Sequence, residues 1–306
     1  MLGYDFPTGM KRPLLRRAMW IGFHVLRAVV DILPLRLTQC VGAMLGQAGY
    51  WVLAPYRRVT LQQLEQALGH ETTPRKRRRI ARRLFRHLGM NFMEWLSLSK
   101  LTARNIDRYI AAPGAIERVR AALARGNGVI ILSAHLGNWE YLATYFGLHG
   151  VKGGVVARRL RYPEYEQYLL RVRRSQRIET FDRETSFREL VRRLRGNECI
   201  GILPDQDVDG VESVFVEFFG RPAHTPVGPV ALAMSSGAVI LPSYIVREGW
   251  RHRIYLDEPI ELAQTGDRQR DLIENTQRWS RVTESYIRRY PDQWVWMHRR
   301  WKTSPT

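Results

Sequence analysis

Cysteine is almost absent: Cys40 and Cys199 are the only two in 306 residues. That excludes a disulfide-stapled scaffold and a structural zinc cluster, and it points to a reducing compartment. Acidic residues are scarce too, 29 against 48 Lys and Arg, which leaves a formal net charge of +19. Lysine is rarer still. Only Lys11, Lys76, Lys100, Lys152 and Lys302 occur, so nearly every base is an arginine, whose fork suits phosphate and carboxylate partners. Nucleic acid, anionic lipid headgroups or an acidic carrier protein fit this charge, and a GC-rich genome gives the same bias. There is no internal repeat and no low-complexity linker. What is present, 45% apolar and 10% aromatic residues, builds a sizeable core in one large domain or two small ones.

The apolar stretch Ala18 to Leu35 is interrupted by His24, Arg27 and Asp31, which makes it a poor spanning helix. Arg27 and Asp31 also exclude it as a cleaved signal peptide. Lys11, Arg12, Arg16 and Arg17 precede Trp20, Ile21 and Phe23, the pattern of a segment lying at an anionic cytoplasmic leaflet. Cys40 to Pro55, with Tyr50 and Trp51, is a second apolar stretch beside it; a pair of ordinary buried helices is the plain alternative. From Arg57 to about Arg125 the apolar residues recur at three and four, as in Leu84, Leu88, Phe92 and Trp95, so amphipathic helices are expected. One of them opens after Pro74 with eight bases and no acid: Arg75, Lys76, Arg77, Arg78, Arg79, Arg82, Arg83 and Arg86. These fall on more than one face, with no zinc finger, helix-turn-helix or RNP pattern, so nucleic acid is not the expected partner.

After Gly126 short apolar runs (Val129 to Leu132, Gly153 to Val156, Ile200 to Leu203, Val239 to Leu241) alternate with helical patterns. The helices are expected near Trp139 to Leu148, Pro163 to Arg174, Ser186 to Leu194, Pro226 to Ser236 and Arg268 to Arg289. This alternation predicts an α/β fold, a mostly parallel central sheet flanked by helices, behind a helical N-terminal region. The expected division is a membrane-associating segment over 1–56 and a main domain over 57–306, its helical front 57–125 packed on the α/β part 126–306. Ligands should gather at the strand carboxyl ends.

At one such end lies Ser133-Ala-His135-Leu-Gly137-Asn138-Trp-Glu140. With Gly137 folding the chain back, Glu140 in the next helix's first turn meets His135 and orients it as a general base. The helix N-terminus offers amide donors to phosphate or an oxyanion. For a bare His and Glu five apart, coincidence is the plainer account. Asp205-x-Asp207 reads separately as a pair of carboxylates for a hard cation, hence a metal-dependent glycosyltransferase or phosphoesterase. A non-enzymatic binder of anionic membranes is a third reading.

The order of several blocks carries a resemblance. They are His135 to Glu140, Val155-Val-Ala-Arg158, Asp182-Arg183, Gly201-Ile-Leu-Pro204-Asp205-Gln206-Asp207, Thr225-Pro-Val-Gly228-Pro229, and Pro291-Asp-Gln-Trp294-Val-Trp296-Met-His298-Arg299-Arg300-Trp301-Lys302. Over most of its length the chain resembles the bacterial lipid A late acyltransferases, lauroyl and myristoyl transferases of the lysophospholipid acyltransferase superfamily. It departs in having Arg158-Arg159 where the family often has Arg-Pro. The resemblance implies a membrane-bound enzyme at the cytoplasmic face of the bacterial inner membrane. It implies transfer of an acyl group from acyl carrier protein or acyl-CoA to a phosphorylated glycolipid, with no metal, cofactor or covalent acyl-enzyme. His135 and Glu140 are then the catalytic pair, and Arg158, Arg183, Asn138, Asp205 and Gln206 the substrate contacts. No G-x-S-x-G elbow is present, and both cysteines lie outside these blocks. Two basic surfaces, Arg75 to Arg86 and Arg171, Arg173, Arg174, are candidates for the acidic carrier.

Overall fold

The computed structural model describes residues 13–183 and 187–305; Lys11, Arg12 and the expected helix start at Ser186 lie outside them. Four helices come first: α1 (Pro13–Ile32), α2 (Leu35–Val52), α3 (Ala54–Leu68) and α4 (Pro74–Leu96). Prolines punctuate them. Pro34 stands between α1 and α2, and Pro74 opens α4 behind Thr73, whose hydroxyl accepts the Lys76 N–H at 3.2 Å, because proline in a first turn forfeits no helical bond. The expected division at 56/57 falls inside α3. Arg77 is buried, donating to the carbonyls of Gly69 and Thr72 and pairing with Glu65. Its seven neighbours in the basic run are exposed.

Along α1 the aromatic residues turn inward, contrary to the expectation that Trp20 and Phe23 meet lipid. Phe23 is buried against Trp95, Tyr165 and Tyr168, and Trp20 packs on Tyr165. Ile21, Val25, Val29 and Ile32, at helical spacing, are the exposed stripe. Between α2 and α4 the backbones nearly touch. A Cβ at Gly89 would lie 2.1 Å from the Gly42 carbonyl oxygen, and one at Gly46 2.1 Å from that of Phe85, so only glycine permits this approach.

The remaining elements alternate: β1 (Ile110–Ala111), α5 (Ala115–Leu123), β2 (Val129–Leu132), α6 (Trp139–Leu148), β3 (Gly153–Ala157), α7 (Pro163–Ser175), β4 (Glu179–Asp182), α8 (Phe187–Arg195) and β5 (Cys199–Ile202). Then follow the hairpin β6 (Ser213–Phe218) and β7 (Arg221–Pro226), α9 (Gly228–Ser236), β8 (Val239–Glu248), β9 (Arg251–Leu256) and α10 (Arg268–Arg289). The seven-stranded sheet has the order β1-β9-β8-β2-β5-β3-β4. Strands β8, β2, β5, β3 and β4 are parallel, and β9 runs antiparallel to β8. Val129 and Ile131 pack with Val119, Tyr145 and Val172 from α5, α6 and α7; Ile130 and Leu132 pack with Leu194, Val230 and Trp279 from α8, α9 and α10. Both faces are covered, which is why β2 reads as an unbroken apolar run.

The chain leaves β2 through α6 toward β3 and leaves β5 through the hairpin and α9 toward β8. Neighbours β2 and β5 therefore send their connections to opposite sides, opening a crevice at their carboxyl ends.

Candidate active site

Leu132 and Ile202 stand side by side at the ends of β2 and β5, and His135 and Asp205 each lie three residues further on. Asp205 is buried. Its Oδ1 accepts from His135 Nδ1 at 2.8 Å, and its Oδ2 accepts from the His135 backbone N–H at 2.9 Å and from Trp294 Nε1–H at 2.7 Å. Burial would raise the Asp205 carboxyl, but the His135 imidazole and these hydrogen bonds hold it below the usual carboxylate range. A carboxylate only accepts, so the neutral imidazole keeps its proton on Nδ1 and leaves Nε2 free to take one. The His135 side chain is 21% exposed, and the Trp139 ring stands edge-on to it at 5.1 Å.

Glu140 does not occupy the orienting position expected for it, and it shares no hydrogen bond with His135. Its carboxylate takes both arms of Arg173 of α7, at 2.6 and 3.1 Å, a pair almost closed to solvent. The reason is geometric. The chain does turn at Gly137, but α6 begins at Trp139, whose ring takes the place beside His135 while Glu140 projects toward α7. Arg173 is thereby buried and is no part of an exposed carrier surface; Arg171 and Arg174 are exposed.

The His135 loop is held on several sides. Gly137 has φ +59°, and a Cβ there would lie 2.0 Å from the Ile245 carbonyl oxygen. Its N–H donates to the Gln293 carbonyl at 3.0 Å, its carbonyl accepts from Asn91 Nδ2 at 2.6 Å, and the His135 carbonyl accepts the Val295 N–H at 3.1 Å. Asn138, expected to touch substrate, is used inside the protein. Its Oδ1 accepts the Tyr141 N–H at the start of α6, and its Nδ2 donates to Glu94 Oε2 at 2.8 Å. Glu94, fully buried on α4, also accepts from Arg247 at 2.6 Å through each oxygen, from Gln39 at 2.6 Å and from His252 Nε2 at 3.2 Å. Burial opposes its ionisation, yet Arg247 and His252 hold the Glu94 carboxyl well below its ordinary value. Arg247 NH2 reaches Asn91 as well, at 2.7 Å.

Three of the other expected residues follow strands at the same carboxyl edge of the sheet. Arg158 is exposed at the end of β3, and Arg183 is half-buried at the end of β4, its N–H donating to the Ala157 carbonyl at 2.9 Å. Gln206 is half-buried beside Asp205. Arg159 pairs with Asp182; among the described residues no carboxylate pairs with Arg158. Asp207 is taken up by the protein, accepting from His224 Nδ1 at 3.1 Å and from the Thr303 N–H and hydroxyl at 2.9 and 3.1 Å. Both carboxylates of Asp205-x-Asp207 are thus surrounded by N–H and O–H donors, an arrangement suited to hydrogen bonding rather than to a cation. Among the described residues no three His, Cys, Asp or Glu side chains converge as a metal site would need.

The aromatic tail passes close by. His298 Nε2 accepts the Asp207 N–H at 3.1 Å, which puts its own proton on Nδ1, and burial pushes this imidazole down to about 4. Arg300 is buried over Phe218 and donates to the His224 carbonyl and the Thr225 hydroxyl, both at 2.5 Å; burial lowers it to about 10. Ser133, next to the site, is buried, and burial pushes the Cys199 thiol up to about 12. Sequence reasoning missed Trp294 as the third partner of Asp205, and Glu94, Asn91 and Arg247 beneath the loop. The one available signal was the equal three-residue offset of His135 and Asp205 from two apolar runs.

An accessible imidazole oriented by a buried carboxylate is chemically suited to taking up a proton. Residues 9–303 match the model of the bacterial lipid A biosynthesis acyltransferases, and the chain belongs to that family. It is 28% identical to the lipid A biosynthesis lauroyltransferase of Escherichia coli over 94% of this chain and 92% of that one, and 24% identical to the lipid A biosynthesis palmitoleoyltransferase of the same organism over 94% and 91%. To the phosphatidylinositol mannoside acyltransferase of Mycobacterium tuberculosis it is 33% identical over 50% of this chain, and it spans about half (49%) of that relative's length.

Proposed function

We propose that this protein moves a fatty acyl group from a thioester to a free hydroxyl of a phosphorylated glycolipid, a lipid A precursor or a related lipid, at the cytoplasmic face of a bacterial inner membrane. The observation that carries the reading is the hydrogen-bonded set His135, Asp205 and Trp294 at the carboxyl ends of β2 and β5. His135 Nε2 takes the acceptor's hydroxyl proton as its oxygen attacks the thioester carbonyl, and Asp205 stabilises the imidazolium. The tetrahedral oxyanion collapses with cleavage of the C–S bond, and the departing thiolate recovers the proton. A thioester already has a good leaving group, so positioning and oxyanion stabilisation are the enzyme's main tasks. Arg158 and Arg183 bind the acceptor's phosphate, with Gln206 beside them. An acidic acyl carrier protein is the donor favoured by the net charge of +19. The exposed stripe Ile21, Val25, Val29 and Ile32 of α1 rests on the membrane; among the described residues no helix is long and apolar enough to cross one.

The test is a detergent assay with carrier-protein and coenzyme A thioesters offered in parallel to a lipid A precursor, read by mass spectrometry as the gain of one acyl group. His135→Ala should lower turnover at least about 10²-fold with the fold intact. Near-normal transfer by a folded His135→Ala protein would sink the mechanism.

A further inference from the structure

Helix α2 has its amphipathicity turned inside out. The face packed on α4 is small and polar, with Thr38, Gln39, Gly42, Ala43 and Gly46 buried, while Leu37, Met44, Leu45, Trp51 and Val52 are exposed, Trp51 by 61% and Val52 by 76%. Between Arg36 and Arg57 the chain carries no charged side chain. A helix whose outer face meets water ordinarily places its charges there. Cations do stand at one end of this face. The Arg57 guanidinium lies 5.4 Å from the Tyr50 ring centroid and 6.0 Å from that of Trp51; Arg82, reaching over from α4, lies 6.0 and 5.6 Å from the same two rings. Further along α4, Arg75, Lys76, Arg78, Arg79 and Arg86 are exposed. The acid nearest Arg57 in sequence, Glu65, is engaged by Arg77.

We propose that the outer face of α2 and the arginine end of α4 form a second membrane anchor, distinct from α1. Met44, Leu45, Trp51 and Val52 enter the acyl region of an anionic leaflet, and Arg57 and Arg82 meet lipid phosphates at headgroup level. This rests on the membrane association proposed above. An apolar face edged by stacked guanidiniums follows the change from hydrocarbon to phosphate across a leaflet. A second copy of the chain is the poorer occupant, because a two-fold contact would bring the same cations to the same border. The anchor also has a bearing on the site. Arg82 and Glu94 are on one helix, twelve residues or about 18 Å apart, so α4 ties the level of the lipid phosphates to the loop that carries His135.

Flotation of the full chain with vesicles of phosphatidylcholine and phosphatidylglycerol at a 7:3 ratio, and with phosphatidylcholine alone, tests this. Arg57→Gln with Arg82→Gln should weaken binding to the anionic vesicles by about fivefold for each guanidinium and leave neutral vesicles unaffected. Met44→Glu with Trp51→Glu should weaken binding to both at least tenfold, roughly the effect of removing a large buried apolar surface. With the acyl thioester donor at saturation, so that any weakening of carrier docking at Arg82 is masked, acyl transfer to a detergent-dispersed acceptor should stay at the wild-type rate in each variant, which also reports folding. Wild-type vesicle affinity in both double variants, with release by Ile21→Glu and Val25→Glu in α1, would overturn the proposal. So would a dimer, formed without vesicles, that Met44→Glu with Trp51→Glu abolishes. Vesicle binding through α2 by a chain that transfers no acyl group would instead refute the proposed activity and leave the anchor standing.

Discussion

Asp205 and Glu140 are both shielded carboxylates near His135, and what separates them is the cation each one meets. In the proposed mechanism Asp205 faces an imidazole that gains and loses a proton, so its charge would act on a step of the reaction; Glu140 faces the permanent charge of Arg173, and in that reading its work is done on folding. Replacing Asp205 by Asn leaves one of the three donors around it without an acceptor and removes the charge that stabilises the imidazolium. Turnover should fall by about 10² to 10⁴-fold, and its dependence on pH should change. Glu140→Gln should instead cost about 3–5 kcal/mol of stability, the range for breaking a buried ion pair, while the pH profile of the remaining activity stays where it was. Denaturant unfolding and pH–rate profiles on both variants decide between the roles; a profile moved by Glu140→Gln and untouched by Asp205→Asn would reverse them. Why His135 was legible and its partner was not follows from distance along the chain. A five-residue spacing can be read from the sequence, whereas Asp205 is 70 residues away and reaches His135 only because β5 lies against β2. Apolar runs announce strands but carry no record of which strand is whose neighbour.

At the level of elements, the helices α6 (Trp139–Leu148) and α10 (Arg268–Arg289) and the strand β2 (Val129–Leu132) coincide with their periodicity in the sequence. Their patterns are long or uniformly apolar. The edge strand β4, Glu-Thr-Phe-Asp, has one apolar side chain facing inward and gave no such signal, and β8 runs seven residues beyond Val239 to Leu241 because β9 pairs with its far half. The hairpin β6–β7 is half exposed and was equally silent. The crossing of α2 and α4 was invisible for a different reason: its contact is made by glycines, which carry no hydropathy. That crossing matters because α4 delivers Asn91 and Glu94 to the His135 loop. Gly89→Ala would place a Cβ 2.1 Å from the Gly42 carbonyl, and forcing the helices apart should cost about 1–3 kcal/mol and lower acyl transfer as well. Gly49→Ala, in the same helix pair but with its nearest neighbour 3.7 Å away, should be neutral or stabilise by up to about 1 kcal/mol through helix propensity. Urea melts of the two variants make the comparison; equal stability would mean that the glycines do not set the approach.

Over the whole molecule, several histidines are shielded from solvent and held neutral, and stability should depend on pH in a definite direction. Burial pushes His87 down to about 3, helped by Arg247 and Arg86, and His298 down to about 4; His252 is lowered as well. In the unfolded chain each titrates near 6.5. Between about pH 6.5 and 4 the unfolded state therefore binds protons that the folded state refuses, so the stability present above pH 6.5 is lost as the pH falls. At pH 5 the loss is about 2 kcal/mol for each of His87 and His298. Asp292, beside His87 and raised by burial, works the other way, since its folded form holds a proton more readily than the unfolded chain does. Glu94 and Asp205, both depressed, add to the decline only below about pH 4, where their unfolded carboxyls protonate. Urea midpoints taken at pH 7.5, 6 and 5 should fall steadily, with the steeper part below 6.5. His87→Gln and His298→Gln should each flatten that slope, by about 2 kcal/mol over the interval, whatever they do to stability at pH 7.5. A slope unchanged in both variants would mean that proton uptake by these two imidazoles does not govern acid unfolding.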